Sequence, residues 1–73
     1  MSGLPRVSGK ETVAVLERLG FRVRRQRGSH IVLRWDNPFA QTVVPDHVEL
    51  DRGTLRAILR QADVTVERFK ELL

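Results

Sequence analysis

The stretch Phe21-Arg22-Val23-Arg24-Arg25-Gln26-Arg27-Gly28-Ser29-His30-Ile31-Val32-Leu33-Arg34-Trp35 decides the fold. Phe21 and Val23 alternate with Arg22, Arg24 and Gln26, which is the period of a half-buried strand. Arg27-Gly28-Ser29 interrupts the alternation as a turn, with Gly28 free to take a positive φ. From His30 the alternation resumes. Ile31, Leu33 and Trp35 form the more apolar set, and His30, Val32 and Arg34 point the other way. Asp36-Asn37-Pro38 signals a second turn, Gln41 to Val44 a third strand, and Pro45 its end. Three strands joined by short loops predict an antiparallel meander with one apolar face.

Helices flank these strands. Ser8-Gly9-Lys10-Glu11 reads as a capping box, in which the Ser8 hydroxyl accepts from an amide three residues on and Glu11 reaches back. Val13, Leu16 and Leu19 follow at helical spacing, with Val15 widening the stripe. Gly20 ends this helix as a left-handed cap, and Phe21 folds back onto its last turn. The first helix is therefore predicted over residues 9–19. After a loop from Asp46 to Leu50, Asp51 caps a second helix. Its Leu55, Ile58, Leu59 and Ala62 fall at i, i+3, i+4 and i+7. Thr65 caps a short last helix, with Val64 and Phe69 placed as a hydrophobic staple.

The predicted order is α–β–β–β–α with an extra C-terminal helix, an α+β domain. Helices cover only one face of a three-stranded sheet. They are expected on the face of Phe21, Val23, Ile31 and Leu33, which leaves Arg22, Arg24, His30 and Arg34 on the open one. Alternation alone thus moves His30 out of the core and among cations.

Composition narrows the class. The 73 residues make one domain, 1–73, with 1–7 a loosely ordered lead-in. A chain this short buries only about 60% of the surface its unfolded form exposes. Its 41% hydrophobic and 30% charged residues lie in the globular range. The absence of cysteine removes disulfides and thiolate metal sites and fits a reducing cytoplasm. No apolar run approaches the roughly 20 residues of a membrane span, and no secretory signal opens the chain. The net charge is +4, and arginine supplies 11 of the 13 cations. Guanidinium forks match phosphate geometry, although a general preference for arginine gives the same composition.

His30 is the candidate for proton transfer, because imidazole titrates near neutral pH. From spacing alone two readings stay open: an acid–base group, or an ordinary surface histidine at a strand start. Two histidines far apart in sequence, with no clustered carboxylates, do not make a metal site. There is no nucleotide-binding glycine loop and no hydrolase elbow. No cofactor is expected.

The residues Gly20-Phe21, Arg27-Gly28-Ser29-His30, Val44-Pro45, Gly53-Thr54-Leu55-Arg56 and Ile58-Leu59-Arg60-Gln61-Ala62 closely resemble the HicA (YcfA-like) toxins. The likeness runs from about Ser8 to Phe69. It implies a double-stranded-RNA-binding-like fold, in the order read above. It also implies a type II toxin that cleaves mRNA without a metal, with His30 as catalytic histidine, and a cognate HicB-type antitoxin that neutralises it. The tip Asp36-Asn37-Pro38-Phe39-Ala40 departs from the family's polar turn by presenting an apolar residue.

Under that resemblance His30 transfers a proton at the RNA 2′-hydroxyl. Gly28 and Ser29 support the phosphate, and Arg22, Arg24, Arg25, Arg27 and Arg34 form an RNA track, with Lys10 an additional contact to the RNA or to the antitoxin. Each has a plainer alternative: a solubilising strand face for the arginines, a solvated first-turn lysine for Lys10. His47 is a secondary candidate, read as the missing acid, a phosphate contact, or a loop residue bonded to Asp46. Arg52, Arg56 and Arg60 recur on one helix face, fit for RNA, for an acidic antitoxin or for solvent alone. Trp35 is expected at the core edge, and Phe39 is open between packing and base stacking. Two other functions keep the same fold: a non-catalytic RNA-binding module, and a degenerate toxin that only binds an antitoxin. The free protein is expected to be a monomer or weak dimer.

Overall fold

The computed structural model describes residues 3–73; the first two residues of the expected lead-in lie outside the described ones. Its elements are α1 (Gly9–Leu19), β1 (Arg22–Arg27), β2 (His30–Asp36), β3 (Phe39–Pro45), α2 (Arg52–Ala62) and α3 (Val66–Glu71). The strands form one antiparallel sheet in the order β1-β2-β3. This is the α+β arrangement that the alternation and the helical stripes predict. β3 is longer than expected, beginning at Phe39 and running through Pro45.

Register decides which side chains share a face. On β2 and β3 the pairs Ile31–Val44, Leu33–Thr42 and Trp35–Ala40 point toward the helices. The pairs His30–Pro45, Val32–Val43, Arg34–Gln41 and Asp36–Phe39 point away from them. α2 lies over β3, and α1 reaches β1 and β3. The core forms between these layers from Val15, Leu16, Phe21, Ile31, Leu33, Val44, Leu50, Leu55, Ile58, Leu59 and Phe69, all buried. The two buried polar side chains among the described residues are satisfied. Thr12 Oγ1 donates to the Ser8 carbonyl at 3.0 Å, and Thr42 Oγ1 donates to Gln61 Oε1 at 2.7 Å.

The α1 capping box is complete. Glu11 N donates to Ser8 Oγ, and Ser8 N donates to Glu11 Oε1. The helix ends as predicted at left-handed Gly20. The Gly20 amide donates to the Glu17 carbonyl and the Phe21 amide to that of Leu16, which is the Schellman pairing. The buried line of α1, however, is Gly9, Thr12, Val15 and Leu16. Val13 and Leu19 are only half-buried. The helix has turned its smallest residue inward, because Gly9 meets the end of β3 backbone to backbone. Its amide donates to the His47 carbonyl at 2.8 Å. The lead-in is anchored just before this point: Val7 is buried, and its carbonyl accepts from Leu50 N at 2.8 Å.

The N-cap of α2 is a carboxylate. Thr54 N donates to Asp51 Oδ1 and the Thr54 hydroxyl to Oδ2. These bonds, the amide's first, hold the Asp51 carboxyl below its ordinary range. A carboxyl lowered in the folded state contributes stability above its unfolded pKa. That contribution is lost as pH falls through the lower, folded value. Asp51→Asn keeps a good cap without the charge. The gap in unfolding free energy between wild type and Asp51→Asn should therefore narrow or reverse on acidification. Urea titrations at neutral and acidic pH measure this directly.

Candidate functional site

The β1–β2 hairpin has a two-residue loop, Gly28-Ser29, between the paired Arg27 and His30. Gly28 has φ 57°, and Ser29 is not in the left-handed region. Positive φ at the first loop position alone is the pattern of a type II′ turn, whose twist matches that of the strands. Two further bonds hold the loop. Gln26 Nε2 donates to the Gly28 carbonyl at 3.0 Å, and Asp46 N donates to the Ser29 carbonyl at 2.6 Å. The hairpin tip is thereby tied to the far end of β3.

His30 is exposed on the open face at the mouth of this hairpin. No hydrocarbon encloses it. Directly opposed residues on neighbouring antiparallel strands have Cβ atoms about 4.5–5.5 Å apart, and diagonal ones about 7–8 Å. Arg27 stands opposite His30, and Arg25 is its diagonal neighbour.

A β-bulge sets that arrangement. The pairing runs Arg22–Arg34 and Val23–Leu33, then resumes at Arg25–Val32 with a shift of register between Val23 and Arg25. Two residues on β1 thus oppose one on β2. Beyond the bulge the parity of β1 is inverted. Simple alternation assigns Arg24 and Gln26 to the open face. The structure instead puts Arg22, Arg25 and Arg27 there and moves Gln26 to the helix side, where it braces the turn. Arg24 occupies the bulge itself.

Among the described residues, the open face holds four arginines against one carboxylate. That carboxylate, Asp36, lies 2.9 Å from Arg34 Nε, too poorly aligned for a hydrogen bond but an ion pair. Arg34 also lies 6.0 Å from the centre of the Phe39 ring, within cation–π range. Arg34 is thus engaged within the protein. Arg22, Arg24, Arg25 and Arg27 enter no ion pair among the described residues. Phe39, 66% exposed, stands at the far end of this face. Trp35 packs at the core edge, edge-on to Phe21 at 5.5 Å.

The β2–β3 register brings His47 toward the same end of the sheet. Pro45 is the strand partner of His30, and His47 lies two residues beyond it. Its ring makes no hydrogen bond or ion pair with Asp46, so the loop bond considered for it does not form. His47 lines an open cleft of about 300 Å³ with Ser8, Lys10, Asp46 and Val48. A larger groove of about 630 Å³ runs between the end of α1 and β1, lined by Glu17, Gly20, Phe21, Arg22, Val23 and Arg24. It has no imidazole, so the smaller cleft is the one that borders proton-transfer chemistry. Arg52, Arg56 and Arg60 are exposed on α2. Among the described residues no three His, Cys, Asp or Glu gather closely enough to hold a metal ion. No described helix is long and apolar enough to cross a membrane.

The family model for the HicA toxin of bacterial toxin–antitoxin systems matches residues 9–64, from the first residue of α1 to just past α2. The chain belongs to the HicA toxin family. A comparison with curated proteins finds no match. The matched span contains the whole sheet, the Gly28-Ser29-His30 hairpin and the Lys10–His47 cleft. It excludes α3, whose Phe69 is fully buried in the core. A toxin of such a system has an antitoxin as its partner.

Proposed function

We propose that this toxin is a metal-independent endoribonuclease, acting in the cytoplasm on mRNA and neutralised by a HicB-type antitoxin. The observation that carries this reading is the exposed His30 imidazole opposite Arg27, on a sheet face with four arginines and one paired carboxylate.

RNA brings its own nucleophile. His30 takes the proton of a 2′-hydroxyl, and the freed oxygen attacks the adjacent phosphorus. The 5′-oxygen of the next nucleotide leaves with a proton, giving a 2′,3′-cyclic phosphate. Arg27 and Arg25 hold the phosphate from the neighbouring strand, where guanidinium forks match its oxygens. Gly28 and Ser29 stabilise the charge that develops on it. Arg22 and Arg24 extend the track along β1, while Arg34, anchored by Asp36, shapes its floor. A basic open face of this kind also accounts for single-strand binding, since cations that track a backbone attract it irrespective of sequence.

The test uses a short single-stranded RNA and the same strand with 2′-deoxy residues, in excess chelator. The RNA is expected to be cut and the deoxy strand to survive intact, with the cyclic phosphate seen by mass spectrometry. Cleavage of the deoxy strand, or binding of RNA without cleavage, overturns the proposal.

A further inference from the structure

We infer that His47 is the second proton-transfer group of this site, protonating the departing 5′-oxygen, with Lys10 holding the phosphate from the cleft it shares with His47. The inference rests on the ribonuclease reading and adds to it the group that reading leaves unnamed.

Three observations bring the residues together. First, the register sets Pro45 opposite His30, so the Cα atoms of His30 and His47 lie within about 13 Å of each other. Two imidazoles with that backbone spacing can reach opposite sides of one phosphate. Second, the loop is fixed rather than loose. Asp46 N donates to the Ser29 carbonyl, His47 N to the Pro45 carbonyl, and the His47 carbonyl accepts from Gly9 N. The backbone of His47 is fastened to β3 and α1, and its ring is left exposed without a partner bond. Third, His47 shares its cleft with the Lys10 ammonium. Lys10 enters no ion pair among the described residues. Two of the first-turn amides are already engaged, Gly9 with His47 and Glu11 with Ser8. The Lys10 ammonium supplies the full positive charge offered to a phosphate there. Val48, 94% exposed at the lip, gives the adjoining base an apolar surface.

The proton accounting closes. His30 gains the proton of the 2′-hydroxyl as the 2′-oxygen–phosphorus bond forms. His47 loses one to the 5′-oxygen as the phosphorus–5′-oxygen bond breaks. Water exchange then restores both rings.

A sulfur leaving group tests this. Thiolate departs without protonation, so a linkage with bridging 5′-sulfur no longer needs the acid. An RNA is made with oxygen or sulfur at the linkage the wild type cuts. His47→Ala and His47→Gln are expected to cut the oxygen linkage about 10²-fold or more slowly and the sulfur linkage at nearly the wild-type rate. His30→Ala is expected to be slow on both. Lys10→Ala is expected to raise KM on both linkages and to leave the ratio of their kcat values unchanged. His47 variants that are equally slow on both linkages, or unimpaired on oxygen, overturn the acid role and leave the ribonuclease reading standing. A wild type that cuts no RNA, so that no such linkage can be found, overturns both.

Discussion

His30→Ala is expected to slow RNA cleavage about 10²- to 10⁴-fold, the range for losing one positioned proton-transfer group. Folding should be unaffected. The ring is exposed and makes no described hydrogen bond, and the residue's sheet pairing with Arg27 and Pro45 uses only backbone. Exposed substitutions of this kind usually change stability within about 0.5 kcal/mol. His30→Gln separates shape from chemistry, because it keeps a polar side chain of similar reach that cannot carry a proton near neutral pH. It should be as slow as alanine. Arg27→Ala provides the contrast from across the hairpin: it should weaken RNA binding and flatten the salt dependence by about 0.7 in log–log slope, the value for one phosphate contact on a single strand. Single-turnover rates at saturating protein distinguish the two effects. A His30→Ala protein that cuts at the wild-type rate reduces His30 to a surface residue at a strand start.

Where a strand buries one face, its parity is legible in the sequence, and this is why β2 is assigned correctly. Ile31 and Leu33 are buried and His30 is exposed, as the alternation requires, although Val32 on the open face is buried too and Trp35 is not. β1 is an edge strand with all six residues exposed, so no buried face enforces its parity. Its bulge falls at Arg24-Arg25, with no glycine to announce it. The consequence is functional, because the bulge is what turns Arg25 and Arg27 to the side of His30. The face of α1 is only partly legible for a different reason: Val15 and Leu16 are buried, and Val13 and Leu19 pack against the core without being enclosed by it. Hydrophobicity points to Val13 and Leu19, but the closest approach is made by Gly9, whose value lies in having no side chain, and by Thr12, which satisfies its own hydroxyl within the helix. The placement of His47 at the same end of the sheet as His30 is a property of β2–β3 register. It is non-local and cannot be read from the spacing of either residue along the chain. Gln26 shows the same limit. Its brace on the Gly28 carbonyl exists only because the bulge moved it off the open face.

Gly9→Ala is expected to be the most destabilising single change at a glycine in this protein, by about 2–3 kcal/mol. A Cβ at Gly9 would sit 2.0 Å from the Pro45 carbonyl oxygen and 3.0 Å from Asp46 Cα. Both are backbone atoms of a segment held by bonds to Ser29 and Gly9, so neither can rotate away. Relief requires α1 to back off from the end of β3. That movement breaks the Gly9–His47 bond, and overpacking typically adds about 1–3 kcal/mol. The better helix propensity of alanine offsets at most about 1 kcal/mol. In a domain whose whole stability is on the order of 0.1 kcal/mol per residue, such a loss lowers Tm by roughly 10–20 °C. Gly53→Ala is the matched control, since its Cβ would meet only Asp51 Oδ1 at an ordinary 3.5 Å. It lies in the first turn of α2 and should be neutral or slightly stabilising. Thermal melts of the two variants compare the same chemical change at two helix starts. If Gly9→Ala proves no worse than Gly53→Ala, α1 does not abut the 45–47 segment closely, and the cleft that joins Lys10 to His47 loses its wall.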